Sequence, residues 1–381
     1  METVAGKMET LVKIVEGNTS MIIPKMAITE KAPPKEPAFF NPRAMLNRDL
    51  SIIAYSAFLD NFVGPRIFLD ALAGVGARGL RVANELDVDA VMINDLNPSA
   101  IKMAKESAKI NNITNVTFSE NETCRFLSAC SERGKRGAIV DVDPFGSPVQ
   151  FLDCGLRATM YNGMLSCTAT DQQVLNGLFQ DACMRKYGGR PVRVEYGNEM
   201  AIRLILGCLG AIAGRLGMKV SPVFVESDMH YYRTYVVVSG KPDLEGNLGY
   251  ILHCNACKHR KTSSQYESRC NLCGSEFSMA GPLWIGNIFE KKFIECMSKA
   301  ACKLPVSDSC EKILAKVILE SEMPGTYYTT DMVAAKIKSS PPKIDKIISD
   351  LQKIGFRASP TAFDPTGFRT DANIDEIARL F

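Results

Sequence analysis

The chain has 381 residues, 46% of them apolar and 23% charged, and a net charge of only +3. That length and balance are those of an ordinary globular protein of two or three domains, and they exclude a disordered or strongly basic chain. No apolar run reaches the ~18 residues of a membrane span, and the first thirty residues lack a signal-peptide core, so a cytoplasmic protein with no membrane partner is expected.

Residues 9–24 read as a hairpin, with strands at 11–15 and 20–23 around the turn Glu16-Gly17-Asn18-Thr19. Residues 31–38 form a linker rich in proline, Pro33-Pro34-Lys35-Glu36-Pro37. The segment from Phe39-Phe40-Asn41-Pro42-Arg43 to Asn47-Arg48-Asp49 precedes a helix of period 3.6 over residues 50–58.

From residue 66 strands and helices alternate, as a doubly wound parallel sheet requires. Strands are expected near 67–73, 90–95, 115–119, 137–143 and 163–169, and helices near 77–86, 98–110, 123–132 and 148–160. The first strand ends in Asp70 and turns through Gly74-x-Gly76-x-x-Gly79, and Asp95 ends the second strand where a ribose-binding acid belongs. Two cofactors fit that fingerprint, NAD and S-adenosylmethionine. Asp70 favours the second, because an acid ahead of the glycines can meet a methionine ammonium directly or through water.

The strand at 137–142 runs into Asp143-Pro144-Phe145-Gly146. Open α/β sheets hold ligands at this end of their strands. Asp143 can accept hydrogen bonds from a base amino group, the Pro144 carbonyl can accept another, and Phe145 can stack on the base. That motif has no role in hydride transfer, which again favours the methyl donor. Basic clusters flank the motif, at Arg133/Lys135/Arg136, Arg185/Lys186/Arg190/Arg193, Lys258/Arg260/Lys261 and Lys291/Lys292. Each alone reads as a solvated face; together they suggest a phosphate-binding track.

A long helix near 198–216 and two strands, 219–226 and 231–239, complete the outline of a methyltransferase sheet that ends in an antiparallel strand. Gly240-Lys241-Pro242-Asp243 marks a boundary. Beyond it Cys254-x-x-Cys257 and Cys270-x-x-Cys273 have the spacing of two knuckles around one structural zinc ion. The other nine of the thirteen cysteines are scattered and read as buried thiols in a reducing compartment. The histidines are only three, His230, His253 and His259, which disfavours histidine-base chemistry; the two beside the cysteines are read as second neighbours or surface residues, not ligands. Residues 312–319, 332–337 and a helix opened by Ser340-Pro341-Pro342 and ended by Gly355 are helical. Ile344, Ile347, Ile348, Leu351 and Ile354 share one face of the last, and a ribbon over 356–369 suggests a winged-helix-like region.

The expected fold is therefore α/β: a Rossmann-like class I S-adenosylmethionine-dependent methyltransferase sheet with a C-terminal α+β domain. The methyltransferase domain spans 1–242, and the C-terminal domain spans 243–381, with the zinc module at 250–280 and the winged-helix-like region at 285–381.

In this combination the motifs Asn41-Pro42-Arg43, Asn47-Arg48-Asp49, Leu69-Asp70-Ala71-Leu72, Arg78-Gly79-Leu80-Arg81, Asn94-Asp95, Asp141-Val142-Asp143-Pro144-Phe145-Gly146-Ser147-Pro148, Thr168-Ala169-Thr170-Asp171, Gly281-Pro282-Leu283-Trp284-Ile285-Gly286 and Phe363-Asp364-Pro365-Thr366-Gly367 resemble the archaeal tRNA (guanine-26-N2)-dimethyltransferase family over nearly the whole chain. The resemblance implies methyl transfer to guanosine N2 in tRNA, with tRNA as the partner and no protein partner. It implies donor contacts from Phe39, Arg48, Arg81 and Asp95, with Arg48 on the donor carboxylate, and Asp143 as the catalytic acid. Glu122-Thr123 stands where family members often read Asp-Ala; a glutamate can still accept from an adenine amino group, with a different reach. Read alone, Arg48 and Asp49 could instead be a helix-start ion pair, and Glu122 a first-turn acid favoured by the helix dipole. The rival classes are a zinc-dependent winged-helix regulator, which leaves Asp143-Pro144-Phe145-Gly146 idle, an NAD oxidoreductase, which leaves the zinc module idle, and an N2-guanine methyltransferase acting elsewhere in tRNA.

Overall fold

The structure, a computed structural model, describes residues 10–380. Residue 9 of the expected hairpin and Phe381 of the expected C-terminal region lie outside the described residues. The chain divides into two compact units. One holds residues 1–143, 157–164 and 299–310; the other holds 144–156, 165–298 and 311–381.

The first unit opens with strands β1 (Leu11–Glu16) and β2 (Thr19–Pro24), paired antiparallel around Gly17-Asn18. Alternate residues of β2 face inward, so Met21 and Ile23 pack with Phe40, Val75 and Met103. A four-residue helix α1 (Met26–Thr29) follows. Helix α2 (Met45–Leu59) begins five residues earlier than the apolar period suggests, so Asn47, Arg48 and Asp49 lie within it rather than ahead of it. All three are buried, held by polar partners distant in sequence.

Next come β3 (Ile67–Asp70), α3 (Ala77–Glu85), β4 (Ala90–Asn94), α4 (Pro98–Ile110), β5 (Val116–Ser119), α5 (Thr123–Cys130) and β6 (Gly137–Val142). These strands are parallel, in the order β5-β4-β3-β6. The order reverses between β3 and β6, the switch point where such sheets open a crevice. Asp70 and Asp141 are register partners there, which brings two carboxylates together at the strand ends.

Helix α6 (Val149–Ala158) leads to β7 (Thr159–Ala169), whose two halves belong to different units. The second unit continues with α7 (Gln172–Leu175), α8 (Gln180–Tyr187), α9 (Gly197–Arg215), β8 (Lys219–Asp228) and β9 (Tyr231–Ser239). The full strand order is β5-β4-β3-β6-β7-β9-β8, with β8 and β9 antiparallel, as the sequence suggests. Helix α9 is long and apolar enough to cross a membrane by length and composition alone. Its most apolar window is 72% buried, however, and it packs on β8 and β9. Its two buried charges, Glu199 and Arg203, pair at 2.8 Å, and Arg369 joins Glu199 to Glu320.

Three further strands, β10 (Leu248–Cys254), β11 (Arg260–Ser263) and β12 (Phe277–Trp284), form an antiparallel sheet with β10 in the centre. Helices α10 (Lys291–Ala301), α11 (Ser309–Glu320), α12 (Thr330–Ile337) and α13 (Ile344–Lys353) follow, with the two-residue β13 (Tyr328–Thr329) ahead of α12. Helix α13 starts after the prolines rather than on them, and only Ile347 and Leu351 of its apolar face are fully buried, while Ile354 is exposed. Strands β14 (Ala358–Pro360) and β15 (Gly367–Thr370) make the expected ribbon, and α14 (Ile374–Ala378) closes it. Of the cysteines, Cys124 and Cys154 are disulfide-bonded, contrary to the expectation of scattered thiols, whereas Cys254, Cys257, Cys270 and Cys273 are not.

Candidate active site

The glycine turn after β3 is built by close approach. Gly74 and Gly76 both have positive φ, and a Cβ on Gly74 would sit 3.1 Å from the Phe39 carbonyl oxygen. A Cβ on Gly79 would meet Asp70 Oδ2 and Ile93 at 2.9 Å, so glycine there lets α3 lie against the sheet. Gly79 N donates to Asp70 Oδ2 at 3.0 Å. Asp95 braces the turn from β4, accepting from Gly74 N at 2.7 Å and Asn97 N at 2.9 Å, one bond to each oxygen. Each oxygen keeps a lone pair for a further donor. Phe39, Gly74 and Asp95 are therefore brought together.

Glu122 sits at the N-cap of α5, where its carboxylate accepts from Cys124 N and Arg125 N at 3.0 and 2.9 Å. Its place is that of a capping acid favoured by the helix N-terminus. Thr123 is buried in the first turn.

Arg48 and Arg81 go to separate partners. Arg48 makes a two-pronged contact with Glu16 at 2.6 and 2.7 Å, gives a further bond to Asn41 O, and lies over the Phe40 ring. Arg81 is fully buried between Asp49, at 2.6 Å, and Glu85. Asp49 also accepts from Ser307 N, so Arg48 and Asp49 are not a pair with each other.

The residue that does reach the strand mouth is Arg78, one turn before Arg81 on α3. Its Nη1 donates to Asp141 Oδ2 and to Asp143 Oδ2, both at 2.8 Å, and its Nη2 donates to Asn47 Oδ1 at 2.6 Å. Asp141, on β6, and Asp143, just past its end, are two residues apart and so project to one side. The signal was in the sequence: two same-face acids, one at a buried strand position, need a cation. Asp141 is wholly buried, whereas the Asp143 side chain is 31% exposed and open to a substrate. Burial, and then the Asp141 charge, push the Asp70 carboxyl up to about 8 against the opposing pull of Arg78 and Gly79 N.

The turn after Asp143 is pinned to the end of β7. Gly146 N donates to Thr170 Oγ1 at 2.7 Å and Thr170 N donates to Gly146 O at 2.8 Å. Phe145 is 56% exposed. The neighbouring Asp171 accepts from Tyr187 Oη at 2.6 Å and from Lys186 Nζ at 3.0 Å.

The four clustered cysteines converge as expected. Their sulfurs lie within 4.8 Å of one another, with Cys254–Cys273 at 3.4 Å and Cys257–Cys270 at 3.6 Å. A tetrahedron of ~2.3 Å zinc–sulfur bonds puts sulfurs ~3.8 Å apart, so the set fits one zinc ion. The two knuckles are built alike. Lys258 N donates to Cys254 O and Gly274 N donates to Cys270 O, both at 2.8 Å, and both donors have positive φ. With four sulfurs the site has no open position for a water nucleophile. His253 is outside the set, buried 3.1 Å from Tyr196 Oη, and burial lowers its pKa to about 4. His259 is also outside the set.

The family model for N2,N2-dimethylguanosine tRNA methyltransferase matches residues 17–381. A tRNA (guanine(26)-N(2))-dimethyltransferase of Methanosphaera stadtmanae is 32% identical over 378 residues, covering 96% of this chain and 95% of the relative. One from Methanococcus maripaludis is 35% identical over 378 residues, covering 96% of this chain and 97% of the relative. The solved structure of Trm1 from Pyrococcus horikoshii with S-adenosyl-L-methionine is similar at a TM-score of 0.85 and 27% identity, covering 97% of this chain and 99% of that one. The chain belongs to the N2,N2-dimethylguanosine tRNA methyltransferase family.

Proposed function

We propose that this protein transfers methyl groups from S-adenosylmethionine to the exocyclic N2 of guanosine 26 in tRNA, giving N2-methylguanosine and then N2,N2-dimethylguanosine. The observation that carries the chemistry is Asp143, a carboxylate held by Arg78 at the mouth of β6 and followed directly by Pro144 and Phe145. S-adenosylmethionine supplies an electrophilic methyl group on a sulfonium. Asp95 binds the ribose hydroxyls with its remaining lone pairs, and Phe39 helps to cover the donor from behind the glycine turn. Arg48 approaches the donor carboxylate through Nη1, which makes none of its bonds to Glu16 or Asn41. Asp70 meets the donor ammonium through water, Arg81 supports the site from its pair with Asp49, and Glu122 with Thr123 borders the adenine.

The guanine amine is a poor nucleophile because its lone pair is delocalised into the ring. Asp143 and the Pro144 carbonyl draw on its two protons, which favours a pyramidal nitrogen and aims the lone pair along the line of displacement. Arg78 holds the Asp143 carboxylate in place, ready to take the proton released on transfer. Phe145 stacks on the extruded base and offsets part of the few kcal/mol that flipping costs.

Residues 1–242 carry the catalytic role and 243–381 bind tRNA through a winged-helix-like region, with one structural zinc holding residues 250–280. The working compartment is the cytoplasm. The test is nucleoside analysis of a tRNA transcript after incubation with protein and donor, beside a transcript with adenosine at position 26. Dimethylguanosine in the first alone supports the assignment. Equal methylation of both transcripts overturns it.

A further inference from the structure

The turn that presents Phe145 has few soft joints. Pro144 and Pro148 fix their own φ angles, which leaves Phe145, Gly146 and Ser147 between them. Gly146 is tied at both its N–H and its carbonyl to one residue, Thr170. The Tyr187 hydroxyl is held by Asp171. Thr170, at the end of β7, thus secures the residue that follows Phe145. The backbone beneath the ring is fixed, yet the ring is more than half exposed, so folding alone gives little reason to fix it.

We infer that Thr170 is a positioning residue for methyl transfer: its hydroxyl locks the Gly146 turn so that the Pro144 carbonyl and the Phe145 ring hold the target base in the reactive pose. This rests on the reading of Pro144 and Phe145 given above. Thr170 touches neither donor nor base in this role. Gly146 has a φ of +81°, a conformation it holds without strain, and no atom lies within 4 Å of where its Cβ would be. The two Thr170 bonds fix the place of this glycine. The Thr170 side chain is exposed, so replacing it with valine removes an acceptor without disturbing a packed core.

The test uses the full-length chain, saturating donor and a tRNA bearing guanosine 26, and compares Thr170→Val, Thr170→Ser and Phe145→Ala. Thr170→Val should lower kcat roughly three- to tenfold, the range set by one hydrogen bond. Thr170→Ser should stay within about twofold of the parent, since it keeps the acceptor. Donor affinity by calorimetry and melting temperature should not change in either. A parental kcat in Thr170→Val, or a serine variant as slow as the valine one, overturns the inference. If Phe145→Ala turns over at the parental rate, the stacking reading fails first and this inference with it. If Phe145→Ala is slow while Thr170→Val is not, only the lock fails. Should Thr170→Val melt early, Gly146→Ala decides: it strains the same turn by φ alone and must slow transfer without weakening donor binding, and a parental rate there overturns the lock.

Discussion

Replacing Arg78 by methionine removes a guanidinium that bridges Asp141 and Asp143. Both contacts are 2.8 Å, and the Arg78 side chain and Asp141 are buried. Breaking a buried pair by removing one partner costs about 3–5 kcal/mol, and the Asp141 contact falls in that class. The Asp143 contact counts for less toward stability, because water reaches that side chain and screens it. Single-turnover methyl transfer to tRNA, followed with labelled donor, measures the effect on the chemical step. The Arg78→Met variant should be slower by roughly tenfold or more, because Asp143 loses the contact that holds its carboxylate in place. Arg78→Lys keeps a charge but cannot bridge two carboxylates and Asn47 with a planar fork, so it should fall between. A parental rate in Arg78→Met would refute the claim that Arg78 positions Asp143 for transfer.

Asp95→Ala should weaken donor binding by roughly 1–3 kcal/mol in calorimetry, the range for hydrogen bonds to a charged group, and unchanged affinity removes Asp95 from the ribose site. Metal analysis should find about one zinc per chain, and Cys254→Ser should release it and destabilise the cysteine module while donor binding persists; a zinc-free, fully active parent chain argues against a structural ion. Asp70 has a folded pKa raised from 3.8 to about 8, so between those values the unfolded chain has released a proton that the folded chain still holds. Stability should therefore fall as pH rises through that window, and Asp70→Asn should flatten the fall; parallel melting curves for the two proteins between pH 5 and 8 would show that Asp70 titrates normally.

Much of the fold was legible because the alternation of apolar strands and amphipathic helices is local. The strand at Ala90–Asn94 and the helix at Pro98–Ile110 each announce themselves within a dozen residues. What escaped was decided by partners far away. Asn47, Arg48 and Asp49 break the apolar period, so the first turns of α2 could not be seen without Arg78, Glu16 and Arg81, each about thirty residues distant. Arg78 itself stood inside a glycine fingerprint whose glycines drew the attention. Its role became visible only when the β3–β6 register set Asp70 beside Asp141. The cysteine spacing was sufficient for the metal site but hid the strands that frame it, Leu248–Cys254 and Phe277–Trp284. The disulfide bonding of Cys124 and Cys154 had no sequence signal, since neither belongs to a spaced motif.

The most direct test of the account is the nucleoside content of tRNA after timed incubation with the parent protein and with Asp143→Asn. The substitution keeps the size of the side chain and one carbonyl acceptor but removes the charge that Arg78 holds in place. The account requires transfer to fall by on the order of 10²-fold, as for loss of a general base, with donor and tRNA affinities little changed. N2-methylguanosine should accumulate, because the amine keeps a single proton after the first transfer and the second step leans on the same acceptor. Dimethylguanosine formed by Asp143→Asn at the parental rate would contradict the assignment of Asp143 as the catalytic acid.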